Sequence, residues 1–247
     1  MSAWLLDNEK YALIALEVRV DQRIPLQEFA PGYWAWTDVS LEVPAHWRDA
    51  SVQVDEVEQA ALFGRVQEQL IVSPPPGGAW RLFRALTVYV EARQTREVLD
   101  RLHQFCRCID GLILSEPGKG STQFKSRTVL FIGPRHHELM GQLYRIRSDI
   151  EHLHEHRYLE VFDRPTRLDL AEKAAIAEHI ARNALGHVLR TSTLWPHFAN
   201  STNLASFWQL NSTERENLWG PATINPADAL SGYDRDSIPD VDLGKRP

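Results

Sequence analysis

The chain predicts a mainly α-helical protein. A helical bundle is expected over residues 79–215, a smaller mixed α+β module over 1–75, and an extended or disordered tail over 220–247. Three observations carry this. Apolar residues recur at spacings of three and four through most of the chain after residue 79. Two earlier stretches have strand composition instead. Between the two parts, Ser73-Pro-Pro-Pro-Gly-Gly78 interrupts regular structure, because proline lacks an amide hydrogen and glycine is costly to order.

The N-terminal module begins with Tyr11–Val20, which is rich in strand formers and partly alternating. Tyr33–Val43 is a second strand candidate, following the turn signal Pro31-Gly32. Residues 54–70 fit a short amphipathic helix. After the break, residues 79–92 place Trp80, Phe83, Leu86, Thr87 and Val90 at helical spacing. Thr95 is a candidate cap for the next helix. Its stripe of Val98, Leu99, Leu102, Phe105, Cys106, Ile109 and Ile113 runs to about residue 114. Residues 115–120 form a loop. Residues 121–132 are ambiguous, since Thr128–Ile132 reads as strand on propensity alone. Pro134 suits the first turn of a further helix. In that helix Leu139, Leu143, Ile146, Ile150 and Leu153 fall within about 80° of one another on a wheel. Asp169 is the candidate cap of a helix to about residue 190, and Ser201 of a short one to about 210.

Composition narrows the classes. A chain that is 43% hydrophobic and 24% charged is ordinary globular material, not a disordered or disulfide-stapled one. No apolar run approaches the roughly 20 residues of a membrane helix, and no signal peptide is visible. Cys106 and Cys108 would point about 200° apart on a helix, so both read as reduced core thiols, which suits a cytoplasmic protein. A net charge of −6 argues against nonspecific nucleic-acid binding by the whole surface, though not against a small basic cleft.

The densest polar run is Tyr144-Arg-Ile-Arg-Ser-Asp-Ile-Glu-His-Leu-His-Glu-His156, on and beyond the Leu139–Leu153 stripe. Arg145 and His152 are seven apart, as are Arg147 and His154, so each pair stacks on one helix face. Arg147 and His152 would lie about 140° apart on a straight helix. They converge only if the helix bends or ends near Glu151, or if a second chain completes the site. These residue types suit cleavage of RNA, which carries its own nucleophile, the 2′-OH. A neutral histidine takes its proton and an arginine holds the scissile phosphate, so neither metal nor cofactor is required.

Leu143-Tyr-Arg-Ile-Arg-Ser-Asp-Ile-Glu-His152 resembles the signature helix of HEPN domains, above all their Apea-like branch. Arg147 and Ser148 match its Arg-Ser step and His152 its histidine. Arg96–Ile113 resembles an early helix of that branch, and Gln123–Arg127 its connecting segment. The resemblance covers roughly residues 79–190. It implies an up-and-down helical bundle that dimerises. Many such domains are metal-independent ribonucleases of defence or toxin–antitoxin systems, so RNA, a second copy and an antitoxin are the expected partners. On this reading Arg147 binds phosphate, His152 is the general acid or base, and Ser148 or Asp149 orients them. Arg145, His154, Lys125 and Arg127 are the candidate RNA-binding residues. Other members are noncatalytic binding modules. Two departures here point that way: Ser148 follows the arginine where active members often carry Asn, Asp or His, and Leu153 replaces the common glycine.

Plainer readings stand beside these. The charged run can be a solvated face with intrahelical pairs such as Arg147–Glu151. His152 and His156 are four apart, as helical metal ligands are, with Glu155 or Glu160 near. His136 and His137 suit surface positions or phosphate contacts. Trp34, Trp36 and Trp47 suit a small core or base stacking. Nucleotide-binding glycine signatures are absent.

Overall fold

The computed structural model describes residues 64–66, 68–69, 72–95, 98–152, 163–221 and 223–231. The chain divides into two compact units, Met1–Ser73 and Pro74–Pro247. In the first, residues 64–66, 68–69 and 72 are helical, and the Ser73 amide donates to the Gln69 carbonyl. Both expected strands and Trp34, Trp36 and Trp47 lie outside the described residues.

In the second unit the described residues hold helices and no strand. The helices are α1 (Trp80–Gln94), α2 (Val98–Ile113), α3 (Gly120–Ile132), α4 (His137–Glu151), α5 (Arg164–Arg190), α6 (Trp195–Phe198), α7 (Ser201–Gln209) and α8 (Ser212–Trp219). Short 3-10 turns occupy Pro134–His136, Ser192–Leu194 and Pro226–Leu230. The described residues after 79 therefore form a helical bundle. No helix among the described residues is long and apolar enough to cross a membrane.

Helix α2 is the hub, packing against α1, α4 and α5. Its predicted stripe is buried through Leu102, Phe105, Cys106, Ile109 and Ile113. Against it lies α5, whose 27 residues span about 40 Å. Ala174, Ala177, Ala181 and Ala184 of α5 are buried together with Ile180, Leu185 and Val188. Small side chains on the inner face allow close approach of the α5 backbone to α2. The two thiols are core groups: Cys106 and Cys108 are fully buried, and burial pushes both up to about 12.

Several local expectations are corrected. In α1 the buried face is Leu82, Ala85, Leu86, Tyr89 and Ala92, while Trp80 is 54% exposed and Thr87 is also exposed. Residues 121–132 belong to a helix, not a strand. The Thr128 hydroxyl, buried there, donates to the Phe124 carbonyl at 2.7 Å, so this β-branched residue is satisfied inside a helix. Thr95 closes α1 rather than opening α2, its hydroxyl donating to the Glu91 carbonyl. The cap of α5 is Asp163, which accepts from the Thr166 amide at 3.0 Å, and not Asp169. Asn200, not Ser201, caps α7 by accepting from the Asn203 amide. The segment read as tail includes an ordered stretch: the Ile224 amide donates to the Phe131 carbonyl, and Pro226–Leu230 packs on α5.

Helix α4 sits at the edge of the bundle, against α2 and α3. It enters through Gly133, whose φ of 77° lies in the left-handed region that favours glycine. Of its stripe only Leu143 is fully buried, beside Met140. Leu139, Ile146 and Ile150 are half-buried, and Leu153 lies outside the described residues.

Candidate functional site

The α2/α4 seam brings together charged groups from two helices. Arg147 projects from α4 toward α2, its side chain only 16% exposed. Its Nη2 stands 3.3 Å from Glu151 Oε2, one helical turn on, and 3.7 Å from Asp110 Oδ2 on α2. The guanidinium also lies over the Tyr144 ring, 5.6 Å from its centre, an attraction between cation and ring quadrupole. Tyr144 is steadied in turn by Phe124, with ring centres 5.5 Å apart. Asp110 is oriented from its other side: Ser115 Oγ donates to its Oδ1 at 2.7 Å. Beneath the seam the Cys106 thiol points at the Leu143 carbonyl.

His103 completes the group. Its Nε2 is 3.9 Å from the same Glu151 Oε2 that faces Arg147. That nitrogen is buried and makes no hydrogen bond. Burial is the main cause that holds the His103 ring below the ordinary histidine range. Glu151 and Asp100 push it up, while Arg147 and Arg107 push it down. The Arg147 Nε is likewise buried without a hydrogen bond.

The predicted catalytic residues are placed as follows. Helix α4 ends at Glu151 and His152 is its exposed C-cap, with its amide donating to the Ser148 carbonyl at 3.1 Å. His152 therefore keeps a helical hydrogen bond to the last turn of α4 and stands five residues, about 1.4 turns, beyond Arg147. Ser148 and Asp149 are half-buried on α4. Arg147 is brought against Asp110, Glu151 and Tyr144, and the ion pair Arg147–Glu151 forms as the spacing predicts.

The predicted RNA-binding residues fare differently. Arg145 is 69% exposed and faces Glu138 at 3.5 Å. Lys125 is half-buried, its stem so near Gly141 that a Cβ there would lie 3.1 Å from Lys125 Cδ. Arg127 is held inside the bundle. Its Nη1 donates to the Ile113 and Leu114 carbonyls at 2.7 and 2.6 Å, and its Nη2 meets Glu116. It also lies over the Trp208 ring, so its donors are turned inward and not toward a nucleic acid. His154 and His156 lie outside the described residues. Among the described residues no group of three or more His, Cys, Asp or Glu is placed to hold a metal ion.

Sequence reasoning missed His103 and Asp110. The signal was present. His103, Arg107 and Asp110 stand at i, i+4 and i+7 on α2, a polar line along an otherwise apolar helix. Chemically, the seam offers a guanidinium whose partners are side-chain carboxylates, with a neutral imidazole beside one of them. Such a guanidinium can exchange a carboxylate for a phosphate.

Comparison with known proteins finds no matching family model, curated protein or solved structure.

Proposed function

We propose that the protein is a metal-independent ribonuclease of the HEPN type, with Arg147 as its phosphate-binding group. One observation supports this above others. Arg147 is set at the α2/α4 seam and α4 stops at Glu151, so an exposed histidine, His152, stands at the helix end about 1.4 turns beyond the arginine. In the reaction a His152 ring nitrogen takes the proton of an RNA 2′-OH. The 2′ oxygen attacks the phosphorus, the bond to the 5′ oxygen breaks, and that oxygen leaves with a proton from solvent. The product ends are a 2′,3′-cyclic phosphate and a 5′-hydroxyl. Arg147 holds the phosphate oxygens as charge gathers on them, and Ser148 or Asp149 orients Arg147 and His152. A second copy completes the cleft. A cytoplasmic defence or toxin–antitoxin setting, with an antitoxin as partner, follows from the same reading.

A second reading is favoured by the Arg147 environment. Its charge already faces Asp110 and Glu151, which suits a noncatalytic module that binds RNA, nucleotides or a protein. Total RNA and tRNA incubated in EDTA with the wild-type protein and the Arg147→Ala/His152→Ala variant separate the two. The nuclease reading expects cleavage by the wild type alone, leaving 2′,3′-cyclic phosphate ends. Equal cleavage by both proteins, or none by either, overturns it.

A further inference from the structure

We infer that His103 is a positioning residue for Arg147, acting through Glu151: its proton decides whether that carboxylate holds the arginine or releases it to an RNA phosphate. The inference rests on the reading of Arg147 as a phosphate-binding group.

One oxygen carries the argument. Glu151 Oε2 is 3.3 Å from Arg147 Nη2 and 3.9 Å from His103 Nε2. Two potential cations therefore face a single carboxylate oxygen. Glu151 is half exposed and sits in the last turn of α4, with solvent on one side and the two cations on the other. His103 and Arg147 are far more enclosed, at 17% and 16% exposure. The shared acid is the least enclosed of the three. With His103 neutral, the one cation that Glu151 meets among the described residues is Arg147. With His103 protonated, the imidazolium's buried Nε2–H has no other acceptor and competes for the same oxygen. Arg147 then retains Asp110 at 3.7 Å, a carboxylate already engaged by Ser115. An incoming phosphate has one carboxylate to displace rather than two.

The surrounding charges do not upset this order. From its own helix Asp100 and Arg107 face His103, and from α4 Glu151 and Arg147. One acid and one base lie on each side, burial is the largest influence on the ring, and Glu151 is the largest of the charges facing it.

Two measurements on the full chain test the inference. The first follows the His103 ring by NMR through a pH titration, in the wild type and in Glu151→Gln. Coupling through Glu151 expects a lower His103 pKa in Glu151→Gln, where the neighbouring negative charge is gone. The second measures binding of a 2′-O-methyl RNA, which cannot be cleaved, as pH falls. Wild-type affinity should rise by about fivefold, the upper range for releasing a partly exposed ion pair. His103→Asn should lose that rise, and Glu151→Gln should bind tightly at every pH. An unchanged His103 pKa in Glu151→Gln overturns the inference. So does a wild-type pH response in His103→Asn. Absence of RNA binding at any pH overturns the phosphate-binding reading and the role given to His103 with it, while the titration separately reports whether the pair is coupled.

Discussion

Two arginines on neighbouring helices show how one residue type serves structure in one region and remains available in another. At the end of α2, Arg127 donates to two backbone carbonyls at 2.7 and 2.6 Å and stacks on Trp208. At the α2/α4 seam, Arg147 is equally enclosed but meets carboxylate side chains at 3.3 and 3.7 Å. The carbonyls near Arg127 are the unsatisfied acceptors that every helix C-terminus leaves. They belong to the main chain and cannot turn away without unwinding α2. The carboxylates around Arg147 sit on rotatable side chains and can yield to another anion. Burial alone does not distinguish the two; the nature of the acceptor does.

Substitution should separate these roles by size. Arg127→Ala strands two carbonyls and removes a stacking cation, so urea unfolding is expected to show a loss of about 2–3 kcal/mol. Arg147→Ala gives up long ion pairs, one of them to a half-exposed acid, and the contact with the Tyr144 ring, and should cost about 1–2 kcal/mol. Arg145→Ala, 69% exposed on the outer face of α4, should fall within about 0.5 kcal/mol of the wild type. A larger loss for Arg147→Ala than for Arg127→Ala would invert the comparison.

Much of this arrangement was legible in the sequence. The α2 stripe was, because Leu102, Phe105, Ile109 and Ile113 are large and evenly spaced. The register of α1 was not. Its inner face includes Ala85, Tyr89 and Ala92, which carry a weak hydrophobic signal or a polar tip, while the conspicuous Trp80 is exposed. Helix α3 was obscured by β-branched residues whose propensity was overridden by packing against α4. Caps were missed where several candidates lay close together, as with Asp163 and Asp169.

At the site, the pair Arg147–Glu151 was legible because i, i+4 spacing is a local rule. The cross-helix partners Asp110 and His103 were not, because which faces of α2 and α4 meet is decided by tertiary packing. Arg127 shows the opposite error. Its sequence neighbourhood offers a basic side chain near the motif, and only the packing of α3 against the end of α2 reveals that its donors are occupied.

Acid should sharpen the contrast more gradually. Burial holds the rings of His103, His179, His187 and His197 below the ordinary histidine range. The fold therefore favours their neutral forms. Their contribution to stability is complete above the unfolded histidine pKa of about 6.5 and is lost as pH falls through the lower folded values. The melting temperature should fall between about pH 7.5 and about pH 5.5, and less steeply in His103→Asn. A flat profile would show that these rings are not held neutral.

The most direct measurement follows the arginine side-chain Nε–H signals by NMR while a 2′-O-methyl RNA is added to the 247-residue chain. The account predicts that the Arg147 signal shifts and that of Arg127, fixed to the end of α2, stays in place. An Arg147 signal that does not respond to saturating RNA, or an Arg127 signal that moves in its stead, would contradict it.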